Sequence, residues 1–352
     1  MGIINFSYRI MYKLLLFVII FGVNGCGGQH EIGERPLKVI FDTDLGSDYD
    51  DVGALAMLHA LEDQGRIQIL CIGTSNKLPH SVPIIRIINE YYGKKYLPVG
   101  TVGEDGIALD CWHREKWTDY IVERYRKEIS DSVIVRDAVS VYREALANQP
   151  DQSVSIVTVG FLTNLKNLLM SAPDRHSGLS GIELVRRKVR TLTAMAGMFP
   201  KGRETNIIVD VESAQYVFKH WPTEVLLSGY EIGKPVRTGD WLIAQNIPKK
   251  SPVREIYELA IKQDKQERDI NSRYMDGGRA SYDQTAVLAA VGPLDNYFNV
   301  ESGEIVVADD GLNIWHPDPN GRHKRLIQKM EPKDLAWIIE ELMMEFPIAN
   351  YD

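Results

Sequence analysis

The stretch from Val39 to Asp51 narrows the folds open to this chain more than any other segment. Val39, Ile40 and Phe41 form an apolar, β-branched run that reads as a buried strand. It empties into a turn carrying Asp42, Asp44, Asp48, Asp50 and Asp51. A helical pattern starts at once, with Val52, Leu55, Ala56, Leu58 and Leu61 at i, i+3, i+4 spacing, as in an amphipathic helix. In an open α/β sheet, ligands bind in the crevice beyond the carboxyl ends of the strands. Carboxylates crowded into such a crevice repel one another unless a cation sits among them. Oxygen-only donors on a short turn suit a hard ion, Ca²⁺ ahead of Mg²⁺. The alternative is an acidic helix N-terminus that caps open N–H groups and complements the macrodipole; it needs one or two aspartates rather than five.

Ahead of this strand, Arg9 and Lys13 precede the apolar run Leu14 to Phe21, which is the size of a signal-peptide core and too short to span a bilayer. Val23-Asn24-Gly25-Cys26-Gly27 then resembles the lipobox of bacterial lipoproteins. The expectation is an exported protein, periplasmic or membrane-anchored through lipid on Cys26. An ordinary cleaved signal or a short membrane anchor are the alternatives. Residues 1–26 are therefore set apart, leaving 27–352 as a single α/β domain with no Gly/Ser/Pro linker. A net charge of -8 without Lys/Arg-rich stripes argues against a nucleic-acid surface. Beyond Cys26, only Cys71 and Cys111 remain. They form either one disulfide or two unpaired thiols, and offer no zinc spacing.

Strand-like runs at Leu37–Phe41, Ile67–Gly73, Val154–Gly160, Val189–Ala196 and Glu224–Ser228 alternate with helical patterns. Those patterns cover Asp51–Asp63, Val82–Tyr92, Val133–Asn148, Thr163–Ser171 and Val211–Lys219. This rhythm predicts a mostly parallel sheet flanked by helices, a Rossmann-like core. The C-terminal part adds helices at Ser251–Asp264, Tyr282–Val291 and Pro332–Glu345, and a strand pair around Glu304–Val307 and Leu312–Trp315. Lys234–Lys250 is the most loop-like segment, a candidate lid or rim.

Further polar positions fall at strand ends. Strand Val154–Gly160 runs into Phe161-Leu162-Thr163-Asn164, presents the carbonyl of Val159 at the sheet edge of Asp44, and offers Thr163 or Asn164 as a helix cap. Glu204 and Asn206, two residues apart, would point the same way in an extended segment and clasp a vicinal diol. Asp283 precedes an apolar helix, where it could also be a simple N-cap. His113 sits in the Trp-bearing loop Asp110-Cys111-Trp112-His113-Arg114, which could stack on a nucleobase.

Asp42-Thr43-Asp44-Leu45-Gly46 followed by Asp50-Asp51 resembles the signature of the inosine–uridine nucleoside hydrolase family. Gly160-Phe161-Leu162-Thr163-Asn164 is similar to its Gly-x-Leu-Thr-Asn element. Glu204-Thr205-Asn206 with Asp210 is similar to its Glu-x-Asn strand, and Asp283 falls where that family has a late Asp. The ordered set spans residues 37–291. The resemblance implies a Ca²⁺-dependent N-ribohydrolase of nucleoside catabolism. It implies that Asp44, Asp51, Asp283 and the carbonyl of Val159 hold the ion, with Asp44 also acting on the bound water. It further implies that Asp50, Asn76, Glu204 and Asn206 bind the ribose hydroxyls. A homo-oligomer stays open on the sequence.

The residue types suit that chemistry. Cleaving an N-ribosidic bond develops oxocarbenium character, which needs a water with a base near it and negative groups around the sugar. The chain departs from the family pattern in three places. The acidic turn has two extra residues, so Asp48 competes with Asp50 or Asp51 for a site role. Tyr282 stands where the family often has a His to protonate the leaving base. Met198-Phe199-Pro200-Lys201 lacks an Asn that some members carry. Two other classes share features with the chain. One is an exported riboside-binding protein with the cation site and no turnover. The other is an Asp-x-Asp phosphatase, for which Leu45-Gly46-Ser47 does not supply the Thr or Val needed after the second Asp.

Overall fold

The computed structural model describes residues 35–127, 135–245, 250–268 and 278–347. In chain order its strands are β1 (Leu37–Thr43), β2 (Ile67–Thr74), β3 (Val99–Thr101), β4 (Arg136–Asp137), β5 (Val154–Thr158), β6 (Val189–Met195) and β7 (Lys201–Gly202). They continue with β8 (Glu224–Ser228), β9 (Arg237–Thr238), β10 (Arg279–Ala280), β11 (Phe298–Val307), β12 (Asn313–Pro317) and β13 (His323–Gln328). One sheet runs β4-β3-β2-β1-β5-β6-β8-β13-β11-β12-β7, and β9 pairs separately with β10. From β4 to β13 every pairing is parallel, and β11, β12 and β7 extend the sheet antiparallel. This is the mostly parallel, helix-flanked sheet that the strand–helix rhythm predicts.

The connections decide where a ligand can bind. From β1 the chain works outward to β4, then returns to β5 on the other side of β1. The topological switch therefore falls between β1 and β5, and a crevice opens beyond their carboxyl ends. Val39–Thr43 and all of β5 are buried on both faces, which explains why they read as unbroken apolar runs. One face is packed by helices Asp50–Asp63, Ser81–Tyr91, Pro252–Arg268, Tyr282–Val291 and Pro332–Met343. The other is packed by Ala138–Ala147, Thr163–Met170, Gly181–Lys188 and Val211–His220.

Several expectations change in the folded chain. The helix after the acidic turn is not amphipathic. Every residue from Asp50 to Leu61 is buried, because helices Tyr282–Val291 and Pro332–Met343 cover the side that would otherwise meet water. Of the helix expected over Val133–Asn148, residues 133–134 lie outside the described residues, and the described part is helical over Ala138–Ala147; Arg136–Asp137 is strand β4, and Asp137 caps the helix by accepting from Ser140 N. Lys234–Lys250 is more ordered than a loop as far as it is described. It supplies β9 and the helical turn Asp240–Ala244, whose N–H groups at Gly239, Trp241 and Leu242 all donate to the buried Glu340 carboxylate. Strand β13 escaped the pattern reading because only His323 and Leu326 in it are fully buried. Cys71 and Cys111 are both free and buried.

Residues Pro36–Asp352 form one compact unit. The signal-like segment 1–26, with Cys26, lies outside the described residues. Among the described residues no helix is long and apolar enough to cross a membrane.

Candidate active site

Asp42 is the last-but-one residue of β1, and it is structural rather than open to a ligand. Its carboxylate accepts from Tyr142 Oη at 2.5 Å, Asn164 Nδ2 at 2.8 Å and Thr158 Oγ1 at 3.1 Å. Burial raises its pKa to about 6 against those hydrogen bonds. Asn164 therefore does not cap its helix, and neither does Thr163, whose hydroxyl donates to Asp210. The Gly-Phe-Leu-Thr-Asn element instead ties the end of β5 to the end of β1. Gly160 permits this, since a Cβ there would lie 2.5 Å from the nitrogen of Asp44.

Past Thr43 the turn brings its carboxylates together beneath helix Tyr282–Val291. Asp48, Asp51 and Asp283 each offer an oxygen within 4.8 Å of the others. Thr43 Oγ1 donates to Asp51 Oδ1, while Asp51 Oδ2 is buried without a hydrogen-bond partner. Asp283 is the second residue of its helix, whose N-cap is Ser281, so the carboxylate serves the cluster and not the cap. Asp44 lies at the margin of the trio, with its Oδ2 accepting from Ser47 Oγ at 2.9 Å. Burial first, and then the neighbouring carboxylates, push Asp44, Asp51 and Asp283 well above the usual range.

A cation from a distant strand answers this charge. Arg279, on β10, donates to Asp50 Oδ1 from Nε at 2.9 Å and from Nη2 at 2.7 Å, and to Asp48 Oδ2 at 2.6 Å. Burial would raise Asp48, but Arg279 beside it and hydrogen bonds hold it below the usual carboxylate range. Asp50 stays at about 7, because burial and Asp48 outweigh Arg279. Asp50 Oδ2 also accepts from the main-chain N–H of Tyr282 at 3.2 Å.

The residues expected to clasp a sugar are placed unequally. Glu204 and Asn206 do not lie in an extended segment. Glu204 is the N-cap of the helical turn Thr205–Val209 and accepts from Asn206 N at 2.8 Å and Gly197 N at 3.1 Å. Burial lifts it to about 7. Asn206 Nδ2 donates to the carbonyls of Val159 and Met195, both at 3.0 Å, so Asn206 fixes the Val159 carbonyl at the switch point. Asn76 spends both amide hydrogens on the carbonyls of Asp44 and Leu109, and its Oδ1 accepts from Leu109 N. In this arrangement it is a strut between two loops. Tyr282 is half-buried and stacks on Tyr230 with centroids 5.2 Å apart; burial and then Tyr230 push its phenol up, away from neutrality.

In the sequence Asp48 stands only as a competitor of Asp50 or Asp51, and Arg279 joins the site through the fold. A charge argument calls for a cation beside the buried carboxylates without saying which one. Asp264, on helix Pro252–Arg268, was passed over because nothing local marks it.

With the geometry in place, comparison with known proteins is decisive on family. The model of the inosine-uridine preferring nucleoside hydrolase family matches residues 39–331. The chain belongs to that family. It is thereby a hydrolase of N-glycosyl compounds, from a family that is typically metal-dependent. Among solved structures, a plant nucleoside hydrolase shares 19% identity at a TM-score of 0.67, over 88% of this chain and 99% of its own. An inosine-uridine preferring nucleoside hydrolase from Bacillus anthracis shares 15% at 0.61, over 87% and 99%. A purine-preferring ribonucleoside hydrolase from Gardnerella vaginalis shares 16% at 0.63, over 87% and 97%. At these identities the likeness is one of fold. No curated protein matches the chain.

Proposed function

We propose that this chain hydrolyses the N-glycosidic bond of ribonucleosides or closely related N-ribosides, releasing free base and ribose, with Ca²⁺ at the acidic turn. The observation that carries this reading is Asp51 Oδ2, buried and without a partner beside Asp48 and Asp283 at the switch point between β1 and β5. Such an atom costs several kcal/mol if it stays unanswered (roughly 1–3 for a neutral group, more for a charge). An all-oxygen donor set at this spacing fits a hard ion. Asp51 and Asp283 would hold it, with Asp48 as the nearest third carboxylate and the carbonyl of Val159 keeping one lone pair beyond its bond to Asn206. Bound there, the ion would fix the ribose diol and acidify a neighbouring water.

The remaining roles belong to the chain's own groups. Asp44, raised by burial and held by Ser47, is the base that takes a proton from water. Its Oδ2 is held by the Ser47 hydroxyl, whereas Asp50 is kept in place by Arg279 and the Tyr282 N–H. Asp50, Glu204 and Asn206 line the sugar side, where negative charge favours a cationic ribosyl centre. Asn76 acts there by holding the backbone of Asp44. Tyr282 faces the leaving base as a hydrogen-bond donor; a phenol displaced upward transfers its proton poorly near neutrality, so bases that leave as stable anions or carry their own proton should be preferred.

Export through the Leu14–Phe21 core and lipidation at Cys26 complete the proposal, supported by the basic residues ahead of that core and the lipobox-like Val23–Cys26. Cys26→Ser should move the protein from the membrane to the soluble fraction. Function is tested by base release from a panel of purine and pyrimidine ribonucleosides, with Ca²⁺ and then with chelator. Chelator-sensitive release supports the hydrolase. Ca²⁺ and riboside binding without release would favour the binding-protein alternative.

A further inference from the structure

A second buried network adjoins the carboxylate trio, and the reaction as proposed does not use it. Tyr49 lies between Asp48 and Asp50 in the sequence, yet its side chain is fully buried and bonds elsewhere. Its hydroxyl donates to Asp264 Oδ2 at 2.5 Å, and Asp264 Oδ1 lies 2.9 Å from Nε2 of His113. Asp264 and His113 are buried as completely as Tyr49. Burial pulls the imidazole down, but hydrogen bonds to Asp264 and Cys111 overcome it and raise it to about 9, with Asp264 at ion-pair distance. On the other face of Tyr49, the Arg279 guanidinium sits 5.2 Å from the ring centroid while it grips Asp48 and Asp50. Tyr257 meets the Tyr49 ring edge-on at 5.2 Å.

The loop that carries His113 is thus fastened to the acidic turn twice. At Leu109, the Asn76 amide joins it to the Asp44 carbonyl. At His113, Asp264 joins it to Tyr49. Trp112 packs against the His113 ring at 4.0 Å and reaches solvent. A buried ion pair is weak evidence for stability, because apolar residues of the same volume often serve as well. What such a pair supplies is one fixed geometry, and here that geometry is the seat of Arg279.

We propose that His113, Asp264 and Tyr49 form a positioning network that seats Arg279 and, through it, sets Asp48 for the metal trio, coupling the Trp112 loop to the metal site. The proposal rests on the metal reading above. Their contacts run to one another and to Arg279, through which they act on Asp48. Outer partners of metal ligands are commonly worth about 10–100-fold in metal affinity.

The test is calorimetric Ca²⁺ titration of the full chain and of Tyr49→Phe, Asp264→Asn and His113→Gln, with thermal unfolding in chelator alongside. Glu340→Gln is the control, a buried carboxylate whose three backbone partners belong to another segment. We expect Tyr49→Phe and Asp264→Asn to raise the Ca²⁺ Kd about tenfold or more. His113→Gln should raise it less, and Glu340→Gln should lower the melting temperature without moving the Kd. Saturating Ca²⁺ should restore kcat in Tyr49→Phe. Melting temperatures that fall while both Kd values stay at the wild-type level would overturn the network and leave the metal reading standing. A wild-type chain that binds no divalent ion would overturn both. If Asp264→Asn does not fold, Tyr49→Phe decides, because it keeps the ring under Arg279.

Discussion

Replacing Arg279 by Met keeps the length of the side chain and removes the cation that bonds both Asp48 and Asp50. The guanidinium makes three hydrogen bonds to Asp48 and Asp50, all at 2.9 Å or less, and is itself buried. At an effective dielectric constant of about 20, each guanidinium–carboxylate attraction near 4 Å is worth about 4 kcal/mol before desolvation. Measured losses for removing one partner of a buried pair are about 3–5 kcal/mol, since an uncompensated charge stays behind. Unfolding entropies of about 2.1 cal/mol/K per residue give a domain of roughly 300 residues about 0.6 kcal/mol per degree, so the expected drop is ~5–8 °C. Without Arg279 to set Asp48, the variant should also bind Ca²⁺ more weakly. Ca²⁺ at about 100 times its Kd adds about 2.7 kcal/mol to the form that binds it, and less to a form of weaker affinity. The gap between variant and wild type should therefore widen when chelator is replaced by excess Ca²⁺. Scanning calorimetry in both conditions checks this. A chelator-state difference under about 1 °C would refute the view that Arg279 offsets the charge of the turn.

Other outcomes follow from the same geometry. Asp44→Asn should leave the fold intact and cut base release by about 10²–10⁴, the usual share of a general base; a rate within a few-fold of wild type removes Asp44 from that role. Asp283→Ala should weaken Ca²⁺ binding in calorimetry, and an unchanged affinity would take it out of the donor set. Tyr282→Phe should slow release of bases that leave poorly more than of those that leave well, and a uniform effect would mean that the phenol assists no leaving group. His59 is buried against Asn89 and stacked on Tyr92, and burial lowers its pKa from 6.5 to about 4. The unfolded chain then binds the extra proton first, so this contribution is complete above pH 6.5 and is lost as pH falls toward 4, by up to about 3 kcal/mol. His59→Gln should flatten the stability profile across that window, and an unchanged slope would show that His59 is not its source.

What the sequence settled by itself is what depends on near neighbours. Val39–Phe41 had to be an interior strand because apolar β-branched residues without alternation fit only a strand covered on both faces. Five aspartates so close together exceed what a helix cap needs, which marked the turn as a cation site. The ordered motifs were enough to place the chain in its family, and the parallel sheet followed from the strand–helix rhythm. Tertiary structure decided which carboxylate does what. Asp48 and Asp50 are two residues apart in one turn, yet Arg279, more than 200 positions away in sequence, divides them: one shares its bond with the metal trio, the other is held by Arg279 and the Tyr282 N–H. Asn76 and Asn206 looked like sugar ligands, and their amides are spent largely on the carbonyls of Asp44, Leu109, Val159 and Met195. Asp264 carried no signal at all until folding set it between Tyr49 and His113. Local pattern reports burial and backbone form, because both depend on residues within a turn or two. The hydrogen-bond partner of a buried charge is chosen by whichever distant element packs against it, and no spacing rule within the turn can name that element.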